Sequence, residues 1–415
     1  MHDAVKICVV GAGASGMIAA AKAAETLGGG VLLVERKDVL GKKILATGNG
    51  RCNLTNIYAD GNSYYGKDPG FCRAAMEKYP PSRVMEYFQS IGLITRRSEE
   101  GRVYPYNEHA AAVPAVLKNE LMRRRVAMLK KVEITEIRKE KDIFILIGGK
   151  KQIRAQKVIL AAGGCAQPAL GSNGSGFILL EKLGHKIIKP YPALVQIKTE
   201  FRFKGLTGVP FQGKAVLKED GVKLDEAEGK LLFTEYGLSG IPALSLSRLV
   251  REGAAQSIAL DFLTDYNSVE VEKLFQNAKG HLGHLSLLDF LSGMVHRSIG
   301  QAVILKAGIE NNALKIGELS PKIIETLIVL LKNYELSVKG INGFEHAQVT
   351  GGGADTSQFC PYTMESRLVP GLYCTGELLD IYGDCGGFNL QWAWASGLLA
   401  GERGAAVFNH DEIQF

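Results

Sequence analysis

Gly11, Gly13 and Gly16 in VGAGASG (10–16) take the spacing with which a chain wraps a pyrophosphate. The first permits a tight turn, the second lets backbone approach the phosphates, and the third lets helix pack on strand. Ala14 and Ser15 open the following helix, whose free N–H groups and partial positive charge face an anion. Glu35 ends the next strand, VLLVE (31–35), with Arg36 beside it. An acidic side chain there accepts both hydroxyls of an adenosine ribose and repels a 2′-phosphate. The spacing predicts a dinucleotide site and leaves NAD and FAD open.

Further glycine-rich stretches stand where an extended ligand can lie on bare backbone. GKKILATGNGRCNLTN (41–56) follows the second strand, LAAGG (160–164) ends a later one through Ala162 and Gly163, and GLYCTGE (371–377) ends another through Gly376 and Glu377. Each alone reads equally as strand-to-turn packing; their combination with the opening glycines favours a ligand. The seven cysteines include no CxxC pair, so reduced thiols are expected. Those in the glycine-rich loops (Cys52, Cys165, Cys374, Cys385) read as small buried residues rather than a redox pair. No His/Cys pairs show ligand spacing, so no metal is expected. His109, His185, His296 and His346 read as packed or surface residues.

These loops need a scaffold. KICVV, the alanine-rich helix Ser15–Leu27 and VLLVE form a β-turn-α-β unit, which fixes an α/β class with a Rossmann-like parallel sheet. Helical stretches are expected near 70–92 and 109–125, hairpin strands at VEITEI (132–137) and IFILIG (143–148), and a return to the sheet at KVILAAGG (157–164). Beyond Pro192 the text changes to short strands (PALVQIKT, GKAVLK, KLLFTE, SIALDFL), which predict a small antiparallel barrel or sandwich. From about 266 the period is helical, and Ser320-Pro321 reads as an N-cap and first helical residue. The expected organisation is a discontinuous nucleotide-binding domain (1–190 and 339–415) with an inserted β-barrel-like unit (191–265) and an inserted helical unit (266–338). A length of 415 residues with 46% apolar content supports several cores. The formal charge of +6 is small for that length. Arg123, Arg124 and Arg125 with Lys130 and Lys131 lack interleaved aromatics and read as a solvated helix end, so no nucleic-acid partner is expected. No apolar run spans a bilayer, and the chain enters a strand at once, which predicts a cytoplasmic protein without membrane insertion.

GKKILATGNGRCNLTN, AQPALGSNGSG (166–176), LLFTEYGLSGIPALSLSR (231–248) and TMESRLVPGLYCTGELLDIYGDCGGFNLQWAWASG (363–397) occur in one order across nearly the whole chain. Together they resemble the HI0933-like family of FAD flavoproteins, also described as aminoacetone-oxidase-like enzymes or bile-acid Δ4,6-reductases. The resemblance implies non-covalent FAD. It places Lys42 or Lys43 at the pyrophosphate, with Gly48, Gly50 and Asn53 close to the ligand and Arg51 neutralising charge. Ile134 would read the adenine edge through its backbone, Glu377 and Asp380 fall beside the phosphate-ribityl segment, and Gly386, Gly387, Phe388 and Asn389 open the last helix towards the flavin ring. The implied reaction is reduction of the C=C bond of an enone, a 3-oxo-4-ene steroid of bile-acid type. A hydride passes from flavin N5 to the β-carbon, with a proton donor near the α-carbon and a hydrogen bond to the ketone. Tyr104, Tyr106 and Tyr382 suit those roles. Rival readings are an oxidase of a small amine and a flavin-bearing binding or RNA-modifying protein. TGGGAD (350–355) does not read as a second phosphate-binding unit, so NAD(P)H is expected to bind weakly and leave before the enone enters.

Overall fold

The computed structural model describes residues 4–200, 204–311 and 314–406. Two compact units emerge, residues 1–192 with 347–415 and residues 193–346.

In the first unit Val5–Val10 is β1, Ala14–Leu27 is α1 and Val31–Glu35 is β2. The helix ends on Gly28 in the left-handed conformation, φ 68°, whose N–H returns to the Ala24 carbonyl. β1 lies between β2 and Lys151–Leu160, parallel to both; Ala127–Lys130 extends the β2 side, and Leu372–Cys374 pairs in parallel with Val158–Leu160. The hairpin Glu136–Glu140 and Ile143–Gly148 adds antiparallel strands on the far edge. The VEITEI stretch therefore starts its strand later than its β-branched residues indicate, and Ile134 precedes it as buried coil. The 70–92 stretch is two helices, Arg73–Lys78 and Pro81–Ser90, divided at Pro80 and Pro81.

The C-terminal helix Phe388–Ala406 lies along α1 on glycine contacts. A Cβ on Gly397 would come 2.5 Å from the Ser15 carbonyl oxygen, and one on Gly401 would come 2.5 Å from that of Ala19. Phe388–Ala406 is thereby seated on the helix that follows the first glycine motif.

The second unit holds a closed barrel in the order Ile197–Thr199, Gly237–Gly240, Val222–Thr234, Pro210–Glu219, Gln256–Asp261 and Tyr334–Ile341. Its long hairpin turns on Asp220 and Gly221, φ 50° and 80°, as a two-residue turn requires. Helices Ser268–His281, Leu287–Leu291, Arg297–Lys306 and Pro321–Lys332 fall between its last two strands. They share one core with it, in which Phe275, Val303 and Leu327 join Leu217, Phe233 and Leu260. Barrel and helices thus form one unit, where the sequence pattern had set 191–265 and 266–338 apart. The change of period at 266 marks new elements, while the closing strand returns only at Tyr334. Ser320 caps its helix through Ile323 N–H, with Pro321 in the first turn. Among the described residues no helix is long and apolar enough to cross a membrane.

Candidate functional site

The β1–α1 turn is built by exclusion. A Cβ on Gly11, φ 101°, would lie 2.4 Å from the Ala161 oxygen, and one on Gly16 would lie 1.9 Å from the Gly11 oxygen, so neither position accepts a side chain. Gly13 differs: a Cβ there meets nothing within 4 Å. The middle glycine faces open space, where a ligand can approach backbone at the N-terminus of α1.

Glu35 is fixed at the rim. Its Oε2 accepts the Ala12 N–H at 2.7 Å and its Oε1 the Lys37 N–H at 2.8 Å. Two bonds leave a carboxylate with further lone pairs for hydroxyl donors. The Val132 N–H donates to the Glu35 carbonyl at 3.0 Å, and Arg36 pairs with Glu133 at 3.2 Å. These contacts bring the coil containing Ile134 beside Glu35, although Ile134 is not in a strand.

The 41–56 loop carries its strain at specific points. Asn49 and Cys52 take φ of 54° and 59°, and Gly48 and Gly50 take 57° and 82°. Lys43 is engaged inside the protein, its Nζ 2.7 Å from Glu377 Oε2, while Glu377 Oε1 accepts the Thr350 N–H at 2.7 Å. The Thr350 hydroxyl in turn accepts the N–H groups of Cys165 and Ala166 at 2.8 and 3.0 Å. This chain ties the 41–56, 163–166 and 371–377 loops into one frame. Lys43 and Glu377 therefore neutralise each other, and of the lysine pair Lys42 is the one outside this frame. Thr350 was not singled out from sequence: TGGGAD holds its only signal, and the segment folds as the wholly buried strand Val349–Ala354.

Asn53 lies under the turn that opens the last helix. A Cβ on Gly387 would come 2.9 Å from Asn53 Oδ1, and that buried oxygen has no hydrogen-bond partner. A buried acceptor left open costs free energy unless something fills it. With the open face at Gly13 and the free positions on Glu35, this orphan atom shows that the residues fit an extended dinucleotide. Gly386 and Gly387 take φ of 114° and 106°. Asn389 braces this turn, its Oδ1 accepting the Gly383 N–H at 2.7 Å and its Nδ2 donating to the Gly383 oxygen at 2.8 Å. Phe388 packs edge-on against Tyr64. Gly376, φ 65°, is seated on Ser15, to whose hydroxyl a Cβ would come within 2.8 Å, and its carbonyl accepts from Trp392 Nε1 at 3.0 Å. Trp394 Nε1 reaches the Leu54 oxygen at 2.8 Å, so the two indoles pin the last helix to the 371–377 and 41–56 loops. Gly163, φ 73°, faces Ser172, next to half-buried Ala162.

Asp380 is buried and receives the Lys67 N–H at 2.8 Å. Burial holds its carboxyl above the ordinary range, opposed by backbone donors from Lys67 and Gly352. The proposed tyrosines separate. Tyr382 is buried and contacts Tyr65 and Tyr191. Tyr104 is buried beneath the Arg51 guanidinium, 4.9 Å from its ring centroid. Tyr106 is 63% exposed, with the Arg96 guanidinium 5.1 Å from its ring centroid. Burial pushes the Cys52 thiol up to about 12 and raises Cys165 as well, so neither is a ready thiolate. Among the described residues no group of three or more His, Cys, Asp and Glu side chains is placed to hold a metal ion.

The family model described as the HI0933-like protein Rossmann domain matches residues 5–403. The chain belongs to the HI0933-like family. It is a Rossmann-type flavoprotein oxidoreductase. This family member is 38% identical to the 3-dehydro-bile acid delta(4,6)-reductase of Clostridium scindens, over 96% of this chain and 99% of that one. It is 28% identical to the ribosomal RNA dihydrouridine synthase of Escherichia coli, over 94% of this chain and 95% of the relative. The corresponding synthase of Haemophilus influenzae is 29% identical, with the same coverage of 94% and 95%.

Proposed function

We propose that the protein is an FAD-dependent reductase of a carbon–carbon double bond conjugated to a carbonyl, acting on a 3-oxo-4-ene steroid of bile-acid type with NAD(P)H as donor. The observation that carries this reading is the 38% identity to the bile-acid reductase over 96% of the chain. FAD, when bound, supplies the hydride. Glu35 accepts the ribose hydroxyls, and the exposed backbone at Gly13 with the α1 N-terminus receives the pyrophosphate. Lys42 adds a cation, and Asn53 offers its open oxygen to a ring N–H. The N-terminus of Phe388–Ala406 favours negative charge on the reduced ring. Tyr382 is the proton donor, positioned by the strand that leads into the Gly386–Gly387 turn.

A second reading has its own support. The two ribosomal RNA dihydrouridine synthases are 28% and 29% identical at 94% coverage of this chain. Uridine also carries a double bond conjugated to a carbonyl, so the same residues serve either substrate, and discrimination lies in what brings the base or the sterol to them. The test is mass gain on product. Incubated with NADH or NADPH, the enzyme should add two hydrogens to a 3-oxo-4-ene bile acid and none to a ribosomal RNA transcript. Gain on the transcript alone replaces the steroid reading with the second one.

A further inference from the structure

The TGGGAD segment folds as a buried strand, and each of its three glycines sits in close contact with a neighbour. A Cβ on Gly352, φ 76°, would lie 2.5 Å from the Lys189 oxygen, and one on Gly353, φ 135°, would lie 3.0 Å from the Leu378 oxygen. Those two let Val349–Ala354 run against Ile187–Ala193 and the 376–380 segment. Gly351 is different, since its φ is not in the left-handed region and its backbone does not demand glycine. What it accommodates is a side chain: a Cβ there would come 2.3 Å from Tyr191 Cζ and 2.7 Å from its hydroxyl oxygen. The outer edge of the Tyr191 ring thus lies against bare backbone, and Gly351 is the seat.

That seat aims the phenol. Tyr191 Oη donates to Tyr382 Oη at 3.4 Å, with the rings edge-on at 6.2 Å between centroids. The separation is long for a hydroxyl pair, as catalytic hydrogen bonds often are before substrate binds. Tyr191 is 40% exposed, whereas Tyr382 is 3% exposed. On its other side Tyr382 packs against Tyr65, whose hydroxyl donates to Asp384 at 2.8 Å, which holds the buried ring in place.

We propose that Tyr191 is the water-side member of a two-tyrosine proton path that recharges Tyr382, and that Gly351 positions it. This rests on the reductase reading. The double bond takes a hydride at the carbon β to its carbonyl, the two electrons coming from NAD(P)H by way of the flavin. Tyr382 breaks its O–H bond as the α-carbon gains a C–H bond. The Tyr191 O–H proton then passes to the Tyr382 oxygen, and water at the exposed face restores Tyr191. Tyr382 is the catalytic residue; Tyr191 acts through it and Gly351 positions Tyr191.

The experiment follows holoenzyme in anaerobic steady-state turnover with NADH or NADPH and a 3-oxo-4-ene steroid in H₂O and in D₂O, where Tyr382 must be recharged in every cycle, the loss of reduced-nicotinamide absorbance giving the rate. Tyr382→Phe should slow turnover about a hundredfold. Tyr191→Phe should slow it about tenfold and enlarge the solvent isotope effect, because proton resupply becomes limiting. Gly351→Ala should match Tyr191→Phe, and the double variant should be no slower than either single one. FAD affinity of the apoproteins, measured by fluorescence titration, should be unchanged in all. Wild-type rate and isotope effect in Tyr191→Phe would overturn the path, as would additive slowing in the double variant or loss of FAD affinity in Tyr191→Phe. If wild-type enzyme turns over no enone, the reductase reading fails and the path falls with it.

Discussion

Glu35 accepts two backbone N–H bonds and keeps room for two hydroxyls. Glu35→Ala should therefore weaken FAD binding by about 1–3 kcal/mol, roughly five- to 150-fold, read by titrating apoprotein with FAD. Unchanged affinity would remove Glu35 from the adenosine site. His185 supports a different kind of expectation. Its Nε2 lies 2.8 Å from Ser366 Oγ, whose lone pairs receive the Leu368 and Val369 N–H groups at 3.1 and 2.9 Å. The serine hydroxyl thus donates to Nε2, and the neutral ring carries its proton on Nδ1. Burial lowers the imidazole pKa, so the folded state refuses a proton that the unfolded chain accepts. Stability from this group is complete above about pH 6.5 and declines as pH falls from there towards the lowered folded value. Thermal melts between about pH 7.5 and 5.5 should show a smaller drop in His185→Gln than in wild type. An equal drop in both contradicts the assignment. The place of Glu35 at the end of β2, beside the glycine turn, was legible because strand, glycines and acid follow one another directly in the chain. Thr350 and Tyr191 were not, because their partners lie far away in sequence: Cys165 and Tyr382 meet them only after the sheet forms.

At the level of elements, two of the motif glycines predict opposite phenotypes. Gly16→Ala drives a methyl into the Gly11 carbonyl, 1.9 Å away, and should destabilise even the apoprotein by about 1–3 kcal/mol. Gly13→Ala meets no protein atom within 4 Å, so the apoprotein should keep its melting temperature and lose FAD affinity. A Gly13→Ala protein that binds FAD normally would mean that no ligand approaches this face. The turn was readable because close packing here admits no residue except glycine. Ile134 shows the reverse: its β-branched neighbours favour a strand, but the Val132 and Lys131 N–H groups bond to Glu35 and Lys37 carbonyls, and pairing starts only at Glu136. Propensity lost to a local tertiary contact. The last helix was recognised by its text, while its placement on α1 depended on Gly397 and Gly401, whose effect appears only when the two helices meet.

At the scale of the molecule, the parallel sheet, the barrel and the later helices were all foreshadowed by changes of period. What the pattern could not convey was the barrel's closure by Tyr334–Ile341, because strand pairing across the helical stretch between Asp261 and Tyr334 leaves no mark in either segment. The family likeness runs without a break over residues 5–403 and so takes in both compact units. If bound FAD delivers its electrons to a conjugated double bond, the steroid itself must reoxidise the flavin. The direct measurement is an anaerobic titration of the reduced enzyme with a 3-oxo-4-ene steroid, oxygen excluded, flavin absorbance followed to its endpoint and the cofactor then released by heat and identified. Full reoxidation is expected at one steroid per flavin, with FAD released. Reduced flavin that stays reduced in excess steroid yet reoxidises with air, or a released cofactor that is FMN, would overturn this reading.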